Sequence, residues 1–82
     1  MDRDKIVAIV DNFLVNEFEV DRDDIVNDAN FKTTLGLDSL DYIDMVVIIE
    51  SNFGVKLVKE DFQNMITFED FYAIVEQKLE NK

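Results

Sequence analysis

Residues 35–45 of this chain read LGLDSLDYIDM, and an apolar-periodic run continues from there to Phe53. This pattern is typical of the N-terminus of a helix. Asp38 stands in the capping position, Ser39 is the first helical residue, and Asp41 places an acid in the first turn. The first N–H groups of a helix have no partner within it, and the helix dipole makes that end positive. An anion held on the Ser39 hydroxyl would therefore meet hydrogen-bond donors and a favourable potential.

The same residues carry a family resemblance. Gly36-Leu37-Asp38-Ser39-Leu40 resembles the G-x-D-S-L signature of acyl carrier proteins, and the likeness in length, helix placement and charge extends over nearly the whole chain. In that family the Ser is esterified by 4′-phosphopantetheine from coenzyme A, and acyl groups are carried on its terminal thiol as thioesters. The resemblance implies that Ser39 is the attachment site, with Asp38 and Leu40 as its cofactor-binding neighbours. It further implies that Asp38 and Asp41 help to present the Ser.

Two alternatives stay open on the sequence. On local pattern alone, Asp-Ser before an apolar run is more often only a helix cap, as it would be in an acidic helical interaction module without a prosthetic group. The second alternative is a specialised aminoacyl or peptidyl carrier, although Leu37-Asp38 departs from the Gly-His or Gly-Asp that usually precedes the Ser there. Glu50-Ser51-Asn52 replaces a run of acids common in the family, and Val58 replaces a common Pro. These departures favour a specialised carrier over the housekeeping one.

The composition indicates one small domain covering residues 1–82. A hydrophobic content of 48% excludes a disordered acidic tail. The first residues lack the features of a signal peptide, and no apolar run approaches the ~20 residues of a transmembrane helix. We therefore expect a soluble, cytoplasmic monomer that does not insert into a membrane.

The chain contains no Cys and no His. Disulfides, the common zinc sites and His-based nucleophilic catalysis are therefore excluded, so we predict a non-enzyme without catalytic residues. Any thioester chemistry needs a thiol from a prosthetic group. The acids at 21–24 do not form an EF-hand, because Ile25, Val26 and Lys32 would occupy its fifth, sixth and twelfth positions. No metal site is predicted, although loose divalent binding by these acids stays open.

The charge of the chain points to protein partners. Nineteen acids and eight bases give a net charge of −11, which disfavours nucleic acid and anionic membranes and favours basic protein surfaces. High net charge can also serve only to keep a small protein in solution, so the distribution of the charge has to distinguish solubility from partner binding. From residue 33 to residue 55 there are four acids and no Lys or Arg. By resemblance, the partners are a carrier-protein synthase (a phosphopantetheinyl transferase with its own metal), acyl synthetases, ketosynthases and acyltransferases with basic docking patches.

The central helix is apolar on two faces, whereas an ordinary surface helix has one apolar stripe. At ~100° per residue, the core face holds Tyr42, Met45, Val46, Ile49 and Phe53. The second face flanks Ser39 and is edged by acids. Either the loop or the short helix covers it, or a partner docks there. We predict a partner-binding face made of Leu40, Asp41, Ile43, Asp44, Val47 and Glu50.

The chain as a whole predicts an all-α fold, an antiparallel four-helix bundle with three main helices, one short helix and a long first loop. The first helix covers residues 3–17, capped by Asp2 or Asp4. The central helix covers 39–53 and ends at Gly54, and the short helix covers 59–64. The last helix is capped by Thr67, with Asp70 completing a capping box. The loop, residues 19–38, suits one helical turn at 21–25, and its predicted anchors are Val20, Ile25, Phe31 and Leu35.

Overall fold

A computed structural model of the protein describes residues 2–36 and 38–81, within which five α-helices are found. The helices are α1 (Arg3–Phe18), α2 (Phe31–Leu35), α3 (Ser39–Phe53), α4 (Lys59–Gln63) and α5 (Phe68–Glu80), with a 3₁₀ turn at Arg22–Asp24. The described residues contain no β-strand, only an isolated bridge between Asn30 and Thr67. The predicted all-α class with three long helices is confirmed.

Helices α1 and α5 lie side by side and run in opposite directions. Arg3, at the start of α1, donates to the Glu76 carboxylate near the end of α5 at 3.0 Å. Midway along α1, the Asp11 carboxylate accepts a hydrogen bond of 2.6 Å from the Tyr72 hydroxyl. Burial, followed by the Asp11 carboxylate, raises the pKa of Tyr72. Because Tyr72 precedes Glu76 while Asp11 follows Arg3, the pairing is antiparallel.

The core combines part of the predicted core face of the central helix with buried residues of α1, α2, α5 and the connecting segments. Sixteen buried hydrophobic side chains form one cluster among the described residues. They are Ile6, Val10, Phe13, Leu14, Val20, Phe31, Met45, Ile49, Phe53, Val55, Leu57, Met65, Phe68, Phe71, Tyr72 and Val75. Tyr42 and Val46, which the sequence places on the core face of the central helix, are only half-buried. Tyr42 instead packs against Phe62 of α4, with ring centroids 5.2 Å apart.

The prediction that residues 19–38 form a loop with at most one helical turn is incomplete. The turn is present at Arg22–Asp24, but a second helix, α2, occupies Phe31–Leu35. Its first turn is capped by Asn30, whose side-chain oxygen accepts from the Thr33 N–H at 2.8 Å. A helix of five residues is too short to show apolar periodicity. It is held by its cap and by tertiary packing, which a periodic pattern does not report.

Backbone hydrogen bonds join the segment before α2 to the start of α5. The Phe31 N–H donates to the Ile66 carbonyl at 2.9 Å, and the Phe68 N–H donates to the Ala29 carbonyl at 3.3 Å. The Phe31 ring is buried, with centroids 5.4 Å from Phe68 and 4.8 Å from Phe71. The loop is therefore fixed to α5 both by its backbone and by an aromatic side chain. Of the predicted anchors, Val20 and Phe31 are buried, and Ile25 and Leu35 are half-buried.

The helix ends agree with the predicted caps except at α1. The Asp70 N–H donates to Thr67 Oγ1 at 3.2 Å, and Asp70 Oδ2 accepts from the Thr67 N–H at 3.1 Å, so the predicted capping box is confirmed. Asp2 occupies the N-cap of α1 but makes no side-chain capping bond. The C-cap of α1, Glu19, has a left-handed φ of 56°, which costs a non-glycine residue some free energy. Across residues 2–36 and 38–81, no helix is long and apolar enough for a bilayer crossing.

We expect Asp70 to contribute to acid sensitivity. Hydrogen bonds from the Thr67 and Ile66 N–H groups lower the pKa of Asp70 below its ordinary value of 3.8. The charged carboxylate therefore stabilises the fold above that ordinary value, and the contribution is lost as the pH falls through the lower folded-state pKa. In urea unfolding at about pH 7 and about pH 3, Asp70→Asn should reduce the acid-induced loss of stability. Glu69→Gln, a matched exposed change in the same turn, should retain it; equal losses in both variants would contradict this prediction.

Candidate functional site

The start of α3 is fixed by two carboxylates. The Asp38 side chain accepts from the Asp41 N–H at 3.0 Å, and the Asp41 side chain accepts from the Asp38 N–H at 3.4 Å. This reciprocal capping box confirms Asp38 as the predicted cap and sets the conformation of the first turn. Ser39, the first helical residue, is exposed, and its side chain makes no hydrogen bond within the described residues.

Two helices meet at the turn that precedes Ser39. Gly36 is the C-cap of α2, its N–H donates to the Lys32 carbonyl at 2.9 Å, and α3 begins three residues later. Gly36 has φ +59°, and a Cβ built there would meet no atom within 4 Å. The left-handed backbone, and not a lack of space, therefore favours Gly at this position. Leu37, the variable residue of the G-x-D-S-L signature, lies outside the described residues.

A cavity of about 470 Å³ opens beside Ser39, between α3 and α4. Most of its lining is apolar, and Lys32 of α2 is part of that lining. It is lined by Lys32, Ser39, Tyr42, Ile43, Val46, Leu57, Val58, Lys59, Phe62 and Gln63. Ser39 thus lines a mostly apolar space of the size that takes small ligands.

An aromatic pair forms part of the wall of this cavity. The rings of Tyr42 on α3 and Phe62 on α4 pack edge to face, with centroids 5.2 Å apart. Both side chains are half-buried, and burial raises the pKa of Tyr42. The sequence analysis did not single out Phe62, Lys32 or Lys59. No local pattern marks them, because the cavity exists only where three separate helices come together.

The second face of α3 is open to solvent. Leu40, Ile43 and Val47 are 71%, 60% and 61% exposed, so neither the loop nor α4 covers them. Asp44 and Glu50 on the same helix are also exposed. A contiguous exposed apolar strip on a helix that carries no Lys or Arg has the character of an interaction surface. Asp41 differs from Asp44 and Glu50, because it is half-buried and its carboxylate takes part in the capping box.

The acidic loop is organised by its own backbone. The Asp21 carboxylate accepts from the Asp23 N–H at 3.0 Å and so caps the 3₁₀ turn. Throughout the described part of the chain, no group of three or more His, Cys, Asp or Glu residues is placed to hold a metal ion.

Comparison with known proteins places this chain in a family. A family model described as "Phosphopantetheine attachment site" matches residues 10–75. An acyl carrier protein from Petrotoga mobilis is 32% identical over 79 residues, covering 96% of this chain and 93% of that protein. The chain belongs to the acyl carrier protein family. Another acyl carrier protein, from Thermotoga maritima, is 34% identical over 77 residues, covering 94% of this chain and 95% of that protein.

The fold of the chain agrees with that of a solved family member. The crystal structure of an acyl carrier protein from Thermotoga maritima superposes with a TM-score of 0.77 at 30% identity, covering 99% of this chain and 94% of that one. The predicted family is therefore confirmed, and 4′-phosphopantetheine is confirmed as its prosthetic group. The family match disfavours the alternative of an interaction module without a prosthetic group. The names of the relatives favour an acyl carrier over an aminoacyl or peptidyl carrier.

We expect the cap at Asp38 to stabilise α3 measurably. Asp38→Ala removes the acceptor for the Asp41 N–H, which is 3.0 Å away, and should lower the free energy of unfolding by about 0.5–2 kcal/mol. Asp44→Ala is the matched control, because it removes an exposed acid from the same helix without removing a cap. Urea unfolding of both variants checks the prediction, and equal effects would show that charge, and not capping, decides the result.

Proposed function

We propose that this protein carries acyl groups as thioesters on a 4′-phosphopantetheine that is joined to Ser39 by a phosphodiester. The observation that carries the proposal is the exposed, unbonded Ser39 hydroxyl at the capped start of α3, beside an apolar cavity. We assign residues 1–82 to one carrier domain, of which the family match covers 10–75.

The residues present fit the prosthetic group chemically. A helix N-terminus favours an anion, and the phosphodiester would be one. The Ser39 hydroxyl has no competing partner among the described residues, so its oxygen is free to be esterified. When bound, the group supplies the thiol that the chain, which has no Cys, does not contain. The apolar cavity lined by Tyr42, Val46 and Phe62 offers a place for an attached acyl chain.

The chain's own residues position the serine and do not activate it. The carboxylates of the capping box, Asp38 and Asp41, each accept a hydrogen bond from a backbone N–H. The chain has no His or Cys to act as a base. When coenzyme A is the donor, the Ser39 oxygen bonds to the phosphorus next to pantetheine, the pyrophosphate bond breaks, and adenosine 3′,5′-bisphosphate leaves. On this proposal the transferase supplies the base that takes the Ser39 proton and any metal. On this proposal the protein presents and carries its cargo and is not an enzyme.

The direct test of the attachment site is peptide mapping. Apo protein is incubated with coenzyme A and a phosphopantetheinyl transferase, and the modified peptide is sequenced by mass spectrometry. We expect one modification, on Ser39. The chain has only one other serine, Ser51, which lies inside α3 and not at a helix start. Modification at Ser51, or none under conditions that load a control carrier, would contradict the proposal.

We propose that partner enzymes dock on the outward face of α3. Leu40, Ile43 and Val47 supply the exposed apolar strip, and burying such surface contributes about 25 cal/mol per Å² to a complex. The exposed acids Asp44 and Glu50 steer the encounter with a basic patch. Asp41 stays in the proposed face, but its carboxylate is shared with the capping box.

Replacing the acidic residues of this face should affect transfer differently from replacing its apolar residues. Asp44→Lys and Glu50→Lys should slow transfer to a partner enzyme, since electrostatic steering raises on-rates by roughly 10–10³, and they should flatten the salt dependence. Val47→Ala should weaken the complex with its salt dependence unchanged. Stopped-flow transfer from holo protein at several ionic strengths measures both effects.

Charge reversal on another helix provides the control for this test. Glu69→Lys on α5 changes the net charge by the same amount at an exposed residue away from α3. We expect it to leave the transfer rate nearly unchanged. If Glu69→Lys slows transfer while Asp44→Lys and Glu50→Lys do not, partners dock on α5 and the assignment to α3 is wrong.

The finer features of the role belong to the proposal as well. We propose acyl shuttling between enzymes of fatty-acid or related polyketide and lipid synthesis, with the transferase, acyl synthetases, ketosynthases and acyltransferases as partners. Ser51 and Asn52, where the family often has acids, and Val58 in place of Pro favour a specialised member. The cytoplasmic location and monomeric state predicted from the sequence stay predictions.

A further inference from the structure

The cavity beside Ser39 carries two cations to which the attachment chemistry gives no role. Lys32 lies on α2 and Lys59 begins α4, so separate elements bring them to one cavity. Both residues are exposed, and within residues 2–36 and 38–81 neither forms an ion pair. The chain has eight Lys and Arg against 19 acids, so two cations lining the cavity of the attachment serine form a local reversal of the overall charge.

The negative charges at the start of α3 would make two nearby lysines favourable for a loaded protein. Asp38 and Asp41 already place two carboxylates at this helix end. The helix dipole offsets only about half a charge there. A phosphodiester on Ser39 would add a third negative charge. Without nearby cations, loading the prosthetic group would concentrate like charges at one point of an already acidic protein.

We infer that Lys32 and Lys59 hold the phosphodiester of the prosthetic group after it is joined to Ser39, an inference that rests on the proposed function. The phosphodiester would be bonded to the Ser39 oxygen, and Ser39 lines the same cavity as both lysines. The cargo is attached at the other end of the arm and is not confined to that place. Each ammonium acts as a flexible point charge, which suits a tetrahedral anion with several free orientations.

The test compares holo with apo protein in matched double variants. Lys32→Gln/Lys59→Gln removes the two cations of the cavity, and Lys5→Gln/Lys56→Gln removes two exposed lysines that do not line it. The thermal midpoint of each is measured in the apo form and in the holo form with a free thiol, at low and high salt. Intact mass confirms loading in every sample. Taking holo minus apo cancels the effect of each substitution on the unloaded fold.

We expect loading to change the thermal midpoint by the same amount in the wild type and in the control double variant. In the cavity double variant, the holo-minus-apo midpoint should be lower by about 1–5 °C at low salt, and this gap should shrink at high salt because exposed pairs are screened. The ³¹P resonance of the phosphodiester should also move towards its position in urea-unfolded holo protein, and only in the cavity double variant.

Two results would overturn the inference. One is that both double variants change the holo-minus-apo midpoint equally and leave the ³¹P resonance in place. The other is that the lysines matter only when the thiol carries a carboxylate-terminated acyl group such as succinyl, in which case they bind cargo and not the phosphodiester. Failure of the wild type to load would instead contradict the attachment at Ser39, so the two proposals fail separately.

Discussion

Replacing Ser39 with alanine should abolish loading by coenzyme A and a phosphopantetheinyl transferase while leaving the fold nearly unchanged. The hydroxyl oxygen is the atom that the proposed phosphodiester requires, so no partial activity is expected. Ser39 is exposed and makes no side-chain hydrogen bond among the described residues, and the cap of α3 belongs to Asp38. We therefore expect the free energy of unfolding to change by less than about 0.5 kcal/mol.

Intact mass spectrometry and urea unfolding check the two halves of this prediction. Ser51→Ala is the matched control, because it removes the other serine of the chain from the same helix and should load normally. Loading of Ser39→Ala would place the prosthetic group elsewhere. A loss of stability comparable to that of a core truncation would show that Ser39 has a structural role.

Replacing Phe31 with alanine should produce the largest loss of stability among the substitutions considered. The ring is fully buried and packs against Phe68 and Phe71, with centroids 5.4 and 4.8 Å away. Truncating a buried Phe costs about 3–5 kcal/mol, because apolar contacts are lost and a cavity remains. Since native domains are stable by only about 5–15 kcal/mol, this is a large share of the total.

The position of Phe31 predicts where the damage appears. Its N–H bonds to the Ile66 carbonyl at 2.9 Å, so the ring and the backbone together fix the segment before α2 to the start of α5. In Phe31→Ala, hydrogen exchange at residues 27–31 should accelerate along with the loss of global stability. The exposed neighbour Ile66→Ala should cost less than about 0.5 kcal/mol.

A milder variant covers the case in which Phe31→Ala does not fold. Phe31→Leu keeps an apolar side chain of smaller volume and should give an intermediate loss in thermal and urea unfolding. If both Phe31 variants unfold like the wild type, the loop is held by its backbone hydrogen bonds alone, and the anchoring role of the ring is wrong.

The sequence was informative wherever structure is local. Asp38 before Ser39, and Thr67 followed three residues later by Asp70, indicate helix starts because a capping bond joins residues three positions apart. The apolar stripe of the central helix correctly placed Met45, Ile49 and Phe53 in the core, because a helix repeats its faces every few residues. The second apolar face of α3 was also visible, since Leu40, Ile43 and Val47 fall together on any helical projection.

The sequence failed where one element depends on another. Helix α2 has five residues and shows no apolar periodicity in the sequence. Its position is set by the packing of the buried Phe31 against α5. The degree of burial of Tyr42 could not be read from its stripe, because it depends on how much of the ring is covered by Phe62 of α4, whose centroid is 5.2 Å away. Periodicity assigns a residue to a face, but the neighbouring element decides whether that face is closed.

The sequence by itself determined the helical class, the three long helices, the start of α3 at Ser39 and the acidic character of that helix. Each of these is encoded in residues that are close together in the chain, so it can be recognised without knowing which helix packs against which. The tertiary structure alone decided that α2 and α4 meet α3 beside Ser39, forming a cavity of about 470 Å³ with Lys32 and Lys59 in its lining. Those two lysines are far apart along the chain, and only the packing of separate helices brings their charges to one site.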